Sequence, residues 1–465
     1  MRLARIGAFW RRSGRTIVLA AAIAVAAPFV WSSAMGLVRP GIATPVTNPA
    51  DFRAFYCAAR TLGEGRDPYL TEPLRSCEQA SARAFGLRMF DGLVLPAPLP
   101  PYALAVLIPL ARLDFRVASP LWLFVSLVAF AASCVLAARL ARRPTAVTTL
   151  ALLGPLAYVS LPLGQIMPAV VALLCGAALA LRARRSWLAA SLCALATVEP
   201  HVVIPACIAA FISCSRTRAA FVLCGCCAVL ASLWFGGPIL IAEYGARVVP
   251  LHALSQVDDF PIQYSLTAVA RALGASTYNA LLAGSISYAI LVALGIVVSQ
   301  RLARHFRDDA FIVLVPPAFA VLGGTFVHLA QIAVAAPALL LLASHLPRRT
   351  PARGFAIAAS IALAVPWSTV ANESPFANAI WPHAVAPRSV TLPFHSAGLF
   401  AEQTETTFYR GGGYGSNGGP LAIDAAFKLP TWFGLLCFST LAIGLAFPRV
   451  SLRSGYGTNV APNIF

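Results

Sequence analysis

The chain has 465 residues, 59% of them hydrophobic and only 11% charged, with a net charge of +18 and a mean hydropathy of +0.76. A soluble domain is roughly 45–50% apolar and about 25% charged, so these figures exclude a soluble enzyme, a disordered scaffold and a single-pass receptor with a large water-soluble domain. Runs of about 20 apolar residues recur along almost the whole length, as bilayer-spanning helices require. The charge does not point to nucleic acid either. Arginines punctuate the apolar runs (Arg2, Arg5, Arg11, Arg12 and Arg15; Arg182, Arg184 and Arg185; Arg216 and Arg218; Arg301, Arg304 and Arg307; Arg348, Arg349 and Arg353). Short basic loops are retained on the cytoplasmic side, whereas nucleic-acid binders concentrate basic residues on one face. The one lysine, Lys428, is read as a result of arginine-rich coding rather than of function.

In chain order, a basic flank precedes an apolar run at 17–38, too long for a signal-peptide core and read as a retained first helix with its N-terminus inside. Residues 39–97 follow as the first polar segment, with Asp51, Glu64, Asp67, Glu72, Glu78 and Asp91. The orientation of the first helix places this segment outside. Its stretches around 51–62 and 75–85 have helical spacing but are too short and polar to span, and are expected along the membrane surface.

Further runs lie at about 98–112, 118–138, 146–163, 166–181, 187–213, 219–241, 278–300, 310–327, 329–346, 354–371 and 431–447. With the first, these give about twelve spans and both termini inside. Strict alternation puts Arg139, Arg142, Arg143 and Arg182 to Arg185 on the wrong side. A re-entrant hairpin broken at Pro200, or an incomplete crossing at 98–112, would remove the conflict. Outer loops are expected at about 242–277 and 372–430; Gly-rich residues 411–419 read as a flexible loop. The expected organisation is a single membrane domain over 1–465, with 39–97 and 372–430 as its early and late extracytoplasmic loops.

Most cysteines sit within or beside apolar runs, where Cys acts as a small hydrophobe. Only Cys57 and Cys77 fall in a polar loop, and the sequence leaves open whether they pair. No metal-ligand spacing, nucleotide-phosphate loop or Ser-His-Asp pattern is present, so no metal or cofactor is expected.

Few residues carry candidate chemistry. Asp51 lies among apolar and aromatic neighbours just after the first span, where partial dehydration raises a carboxylate's pKa and makes it a better base; the alternative is a helix N-cap, a position Asp favours. Glu199 is acidic in the middle of an apolar run, where a charge costs about 2.5–3.5 kcal/mol on insertion scales. It should therefore face a cavity, a partner or an interface, with His201 as a nearby companion. Gln165 and His328 each lie at a break between runs.

Several stretches together resemble glycosyltransferase family 87. Asp51-Phe52-Arg53-Ala54-Phe55-Tyr56 followed by Gly65-Arg66-Asp67-Pro68-Tyr69 is similar to that family's opening motif. Pro100-Pro101-Tyr102 with Pro109-Leu110, Gly164-Gln165, Gln263-Tyr264-Ser265-Leu266 and the position of His328 also match. The resemblance covers about 45–345. It implies a bundle of the GT-C type, all-α and polytopic, with amphipathic surface helices in the first outer loop. It also implies transfer of a hexose, mannose in the best-known members, from a polyprenyl-phosphate donor to a lipid-linked or glycan acceptor on the outer face of a bacterial inner membrane. Asp51 would then be the catalytic base, and Arg53, Tyr56, Arg60, Gln165, Glu199, His201 and His328 the substrate contacts. Two departures stand out: Met167 replaces the family's Asn, and Glu199 stands where the family has Lys. A transporter or lipid flippase, or a non-catalytic partner with the same fold, are the competing expectations. The absence of an internal repeat weighs against a transporter.

Overall fold

The computed structural model describes residues 41–88, 94–95, 97–257, 263–367, 388–392, 406–410 and 421–448, with scattered positions from 31 to 39. Most of the first apolar run, the acidic residues Asp91, Asp258, Asp259, Glu373, Glu402 and Glu405, and the Gly-rich stretch 411–419 lie outside the described residues.

Two amphipathic helices, α1 (Ala50–Gly63) and α2 (Thr71–Ala84), occupy the first polar segment as its spacing predicts. A Cys57–Cys77 disulfide joins them, with the two Cα atoms 5.6 Å apart. The apolar helices follow: α3 (Pro101–Ala111), α4 (Phe115–Ala141), α5 (Thr145–Leu163, with a π-helical middle), α6 (Met167–Arg182), α7 (Ser186–Ala196), α8 (Pro200–Ser213) and α9 (Ser215–Leu254). After the short α10 (Leu266–Ala272) come α11 (Thr277–Phe306), α12 (Ala310–Ala320), α13 (Leu329–His345), α14 (Pro351–Ala364) and α15 (Leu421–Ala446). One small addition to this helical architecture is an antiparallel pair within the late loop, β1 (Arg388–Leu392) and β2 (Thr406–Arg410), in register Arg388 with Arg410.

Five of the described helices are long and apolar enough to cross a membrane. The others are shorter because proline and glycine cut the runs, as at Pro100-Pro101, Gly164, Pro200 and Gly323-Gly324. An 11-residue helix such as α3 is about 16 Å long, against an apolar bilayer thickness near 30 Å. A tally of about twelve full spans therefore overstates what the individual helices reach.

Two ends of the bundle are defined by contacts. At one end, Arg182 closing α6 donates to Asp308 (Nη2–Oδ2 2.6 Å) and to the Leu140 carbonyl of α4, and His345 closing α13 lies 3.4 Å from the same Asp308. Arg142, Arg184 and Arg307 turn the chain there with positive φ. At the other end, Asp51 meets Gln165 just before α6 begins, and Phe115, opening α4, packs on Phe52 and Tyr56. The arginines that violated strict alternation are thus gathered at a single end. The reason lies in α7 and α8. Arg185 precedes α7 at the basic end, and Cys214, just after α8, lies within electrostatic reach of Asp309 and Arg184. The pair begins and ends on one side and turns at residues 197–199, a helical hairpin with Glu199 near its tip. Tyr102 near the start of α3 donates to the Thr197 carbonyl at that tip (2.6 Å).

Every residue of α12 is buried, so this helix is the apolar post around which the others stand. Large apolar side chains on the outer helices face away from it, among them Trp234 at 85% exposure, Leu230, Phe124, Ile290 and Ile361. A soluble surface rarely tolerates patches of that extent; lipid does.

Candidate active site

Asp51 sits in the first turn of α1, but it does not cap the helix. Pro49 occupies the N-cap position, and no side chain caps there. The carboxylate instead accepts a hydrogen bond from the Gln165 side-chain amide. Burial pushes the Asp51 carboxyl up to about 7; the Gln165 hydrogen bond and the Arg53 guanidinium pull it down, and the Glu199 charge raises it. A helix N-terminus favours a carboxylate; burial acts in the opposite sense and is the largest cause of the rise.

The Gln165 loop is held by a small set of contacts. Gly164 adopts φ +70°, and a Cβ there would lie 2.6 Å from Phe52 Cβ and 3.0 Å from Pro49 Cβ. Only glycine allows the loop to press so closely on the start of α1. Trp122 of α4 stacks on Phe52 (centroids 5.0 Å apart, 11° between planes) and donates its indole N–H to the Gly164 carbonyl at 2.8 Å. One aromatic side chain thereby fixes both the helix bearing Asp51 and the loop bearing Gln165.

A second group gathers around the hairpin tip. Glu199 accepts from Gln331 Nε2 at 2.7 Å, and His201 Nδ1 lies 3.6 Å from Glu199. The Gln331 Oε1 in turn accepts the His328 backbone N–H at 2.9 Å, which fixes the start of α13. The His328 ring lies 3.1 Å from Gln263 Nε2, and Gln263 forms an isolated bridge with His328 and accepts the Val327 N–H at 2.8 Å. Phe326 stands between His201 and His252, with ring centroids 4.6 and 4.7 Å away.

The residues expected from sequence separate into three places. Gln165 joins Asp51 directly, Glu199 is electrostatically coupled to it, and Glu199, His201 and His328 are linked through Gln331. Arg53 is buried beneath this group: its Nη1 donates to Asn48 Oδ1 at 2.7 Å, and it lies in the fields of Asp51 and Glu78. Glu78 accepts from the Leu95 N–H, and burial pushes its carboxyl up to about 8. Tyr56 and Arg60 point elsewhere, into a separate pocket against α2 and the start of α4. Both follow Asp51 by more than a turn and on other faces of α1, which sequence proximity conceals.

Sequence reasoning missed Trp122, Gln256, Gln331, His252 and Lys428. Lys428 is fully buried, and its ammonium donates to the Gln263 carbonyl at 2.6 Å. A sole lysine within an otherwise arginine-only basic complement was the available signal. Gln263 was visible only inside a motif.

An all-α polytopic membrane protein with carboxylates, amides and imidazoles collected at one end of its helices is the class that this fold and site define. Residues 99–322, just under half of the chain, match the model of glycosyltransferase family 87. The match takes in Gln165 and Glu199; Asp51 precedes it and His328 follows it. No curated protein sequence and no solved structure matches the chain.

Proposed function

We propose that the protein is an inverting hexosyltransferase of the GT-C type that moves a sugar, mannose by resemblance, from a polyprenyl-phosphate donor to a lipid-linked or glycan acceptor. Asp51 is the base. The observation that carries this reading is the Asp51–Gln165 pair, a carboxylate with a pKa near 7 held by a neutral donor. A general base works best when its pKa lies close to the working pH. Asp51 takes the acceptor hydroxyl's proton as that oxygen bonds to the anomeric carbon. The sugar–phosphate bond breaks on the opposite face, and its electron pair leaves on the lipid phosphate, which needs no general acid.

Gln165 orients the carboxylate, while His328, His201 and Glu199 line the neighbouring wall. Arg53 supports Asp51 from beneath. Orientation follows from charge and redox chemistry. The arginine-rich end lies in the cytoplasm with both termini, and the Asp51 end faces the oxidising side of a bacterial inner membrane, where a Cys57–Cys77 bond persists.

The experiment is sugar transfer by the purified protein from a defined polyprenyl-phosphate sugar, with Asp51→Asn beside the wild type. Product from the wild type, with a loss of about 10²–10⁴-fold in the variant, supports the assignment. Equal turnover in the two overturns it.

A further inference from the structure

The pocket that takes up Tyr56 and Arg60 has no part in the chemistry at Asp51. It is a cavity of about 280 Å³ between the second half of α1, helix α2 and the start of α4. Its charged groups balance. Arg60 Nε lies 3.2 Å from Glu64, Arg66 pairs with the same Glu64, and Asp114 already accepts the Arg116 N–H at 2.8 Å. Two guanidiniums and two carboxylates leave little net field for an ion, yet they present donors and acceptors side by side. Tyr56 adds a hydroxyl that donates to the Leu113 carbonyl at 2.7 Å and accepts from Arg60 at 3.3 Å; Ser76 adds another at the mouth. Hydroxyl-rich neutral ligands use this alternation, because each hydroxyl both donates and accepts.

Size and place agree. The volume lies just below the roughly 300–1,000 Å³ seen for small-molecule pockets, which suits one or two sugar rings. Arg60 follows Asp51 by nine residues, about 14 Å along the helix axis at 1.5 Å per residue and on the opposite face, so only a glycan of several units, passing around α1, reaches both. The Cys57–Cys77 bond, whose Cys77 lines the pocket, ties its two helical walls together.

We propose that this pocket holds a neutral sugar unit of the acceptor glycan, distal to the unit that reacts at Asp51. The inference deepens the transferase reading and rests on it for the word acceptor; the binding of neutral sugar does not depend on turnover.

Ala80 lines the pocket and is exposed, so Ala80→Trp fills the space from outside without disturbing the core; Ser76→Trp is the second variant, and unchanged melting temperatures establish that both fold. Binding of mannotriose and maltotriose to the full-length protein in detergent, read by saturation-transfer NMR, should be present in the wild type and in Asp51→Asn and lost in the tryptophan variants. With acceptors of increasing length, the wild type should show a KM about tenfold lower for the longer glycan, about 1.4 kcal/mol, and the tryptophan variants should lose that advantage. Undiminished trisaccharide binding in both variants, or tighter binding of an anionic trisaccharide than of a neutral one, overturns the inference. Trisaccharide binding that the variants abolish, in a protein that transfers sugar from no donor, would instead overturn the transferase reading and leave the pocket standing.

Discussion

Replacing Asp51 with Asn should slow the reaction and stabilise the protein, and the two effects share one cause. The Asp51 carboxyl titrates near 7 in the fold against an ordinary 3.8. A difference of about 3 pKa units corresponds to ~4 kcal/mol at 1.36 kcal/mol per unit. Because the side chain keeps some exposure, that figure is a ceiling. Its sign follows from proton binding: between pH 3.8 and 7 the native state holds a proton that the unfolded chain has released, so stability falls as pH rises through this window. The cost is fully present above pH 7 and absent below pH 3.8. Asn carries none of it. The melting temperature of Asp51→Asn in detergent should therefore exceed that of the wild type at pH 8, by clearly more than at pH 5. Turnover should meanwhile fall by about 10²–10⁴-fold, and the acid limb near pH 7 in the wild-type rate profile should vanish. A melting-temperature difference that is the same at pH 5 and pH 8 would refute the buried-carboxylate argument. A rate within about threefold of wild type would refute its catalytic consequence.

Gln165→Leu removes the hydrogen bond that lowers the Asp51 pKa, so the acid limb of the rate profile should move to higher pH; an unmoved limb would show that the contact does not tune the base. Gly164→Ala forces a Cβ into the space of Phe52 at a left-handed backbone position, and should lower the melting temperature by an amount equivalent to about 1 kcal/mol or more. Trp122→Phe keeps the stack on Phe52 but loses the bond to the Gly164 carbonyl; a loss of about 1 kcal/mol should appear in thermal unfolding, together with reduced kcat. Reduction of the protein, or Cys57→Ser, should loosen α1 from α2, seen as faster hydrogen exchange in both helices and unchanged exchange in α12.

The membrane character, the surface helices of the first loop and the break at Pro200 were all legible in the sequence, because each follows from local composition or from proline. Individual span lengths were less so: hydropathy reads Gly323-Gly324 or Pro100-Pro101 as part of an apolar run, whereas the backbone stops there. At the site, Asp51 and Gln165 were legible because a polar residue at an apolar boundary is conspicuous. Arg53, Tyr56 and Arg60 look equivalent along the chain, yet helical rotation sends one beneath the carboxylate and two into another pocket. Lys428 and Gln331 were hidden because their partners are 165 and 132 residues away, and no local pattern encodes such distances.

The all-apolar composition of α12 bears on traffic. From the Glu199–Gln331 contact to the Asp308 ion pair, α12 and the Ala335 to Ala343 stretch of α13 offer only hydrocarbon. In this direction the polar side chains of the Asp51 end give way to an apolar floor. Under the proposed reading, a substrate at the Asp51 end would leave on the side it entered, and the tail of a lipid donor would stay in the bilayer beside the helices. An apolar barrier of this kind suits chemistry confined to one face better than passage of a polar molecule to the opposite leaflet.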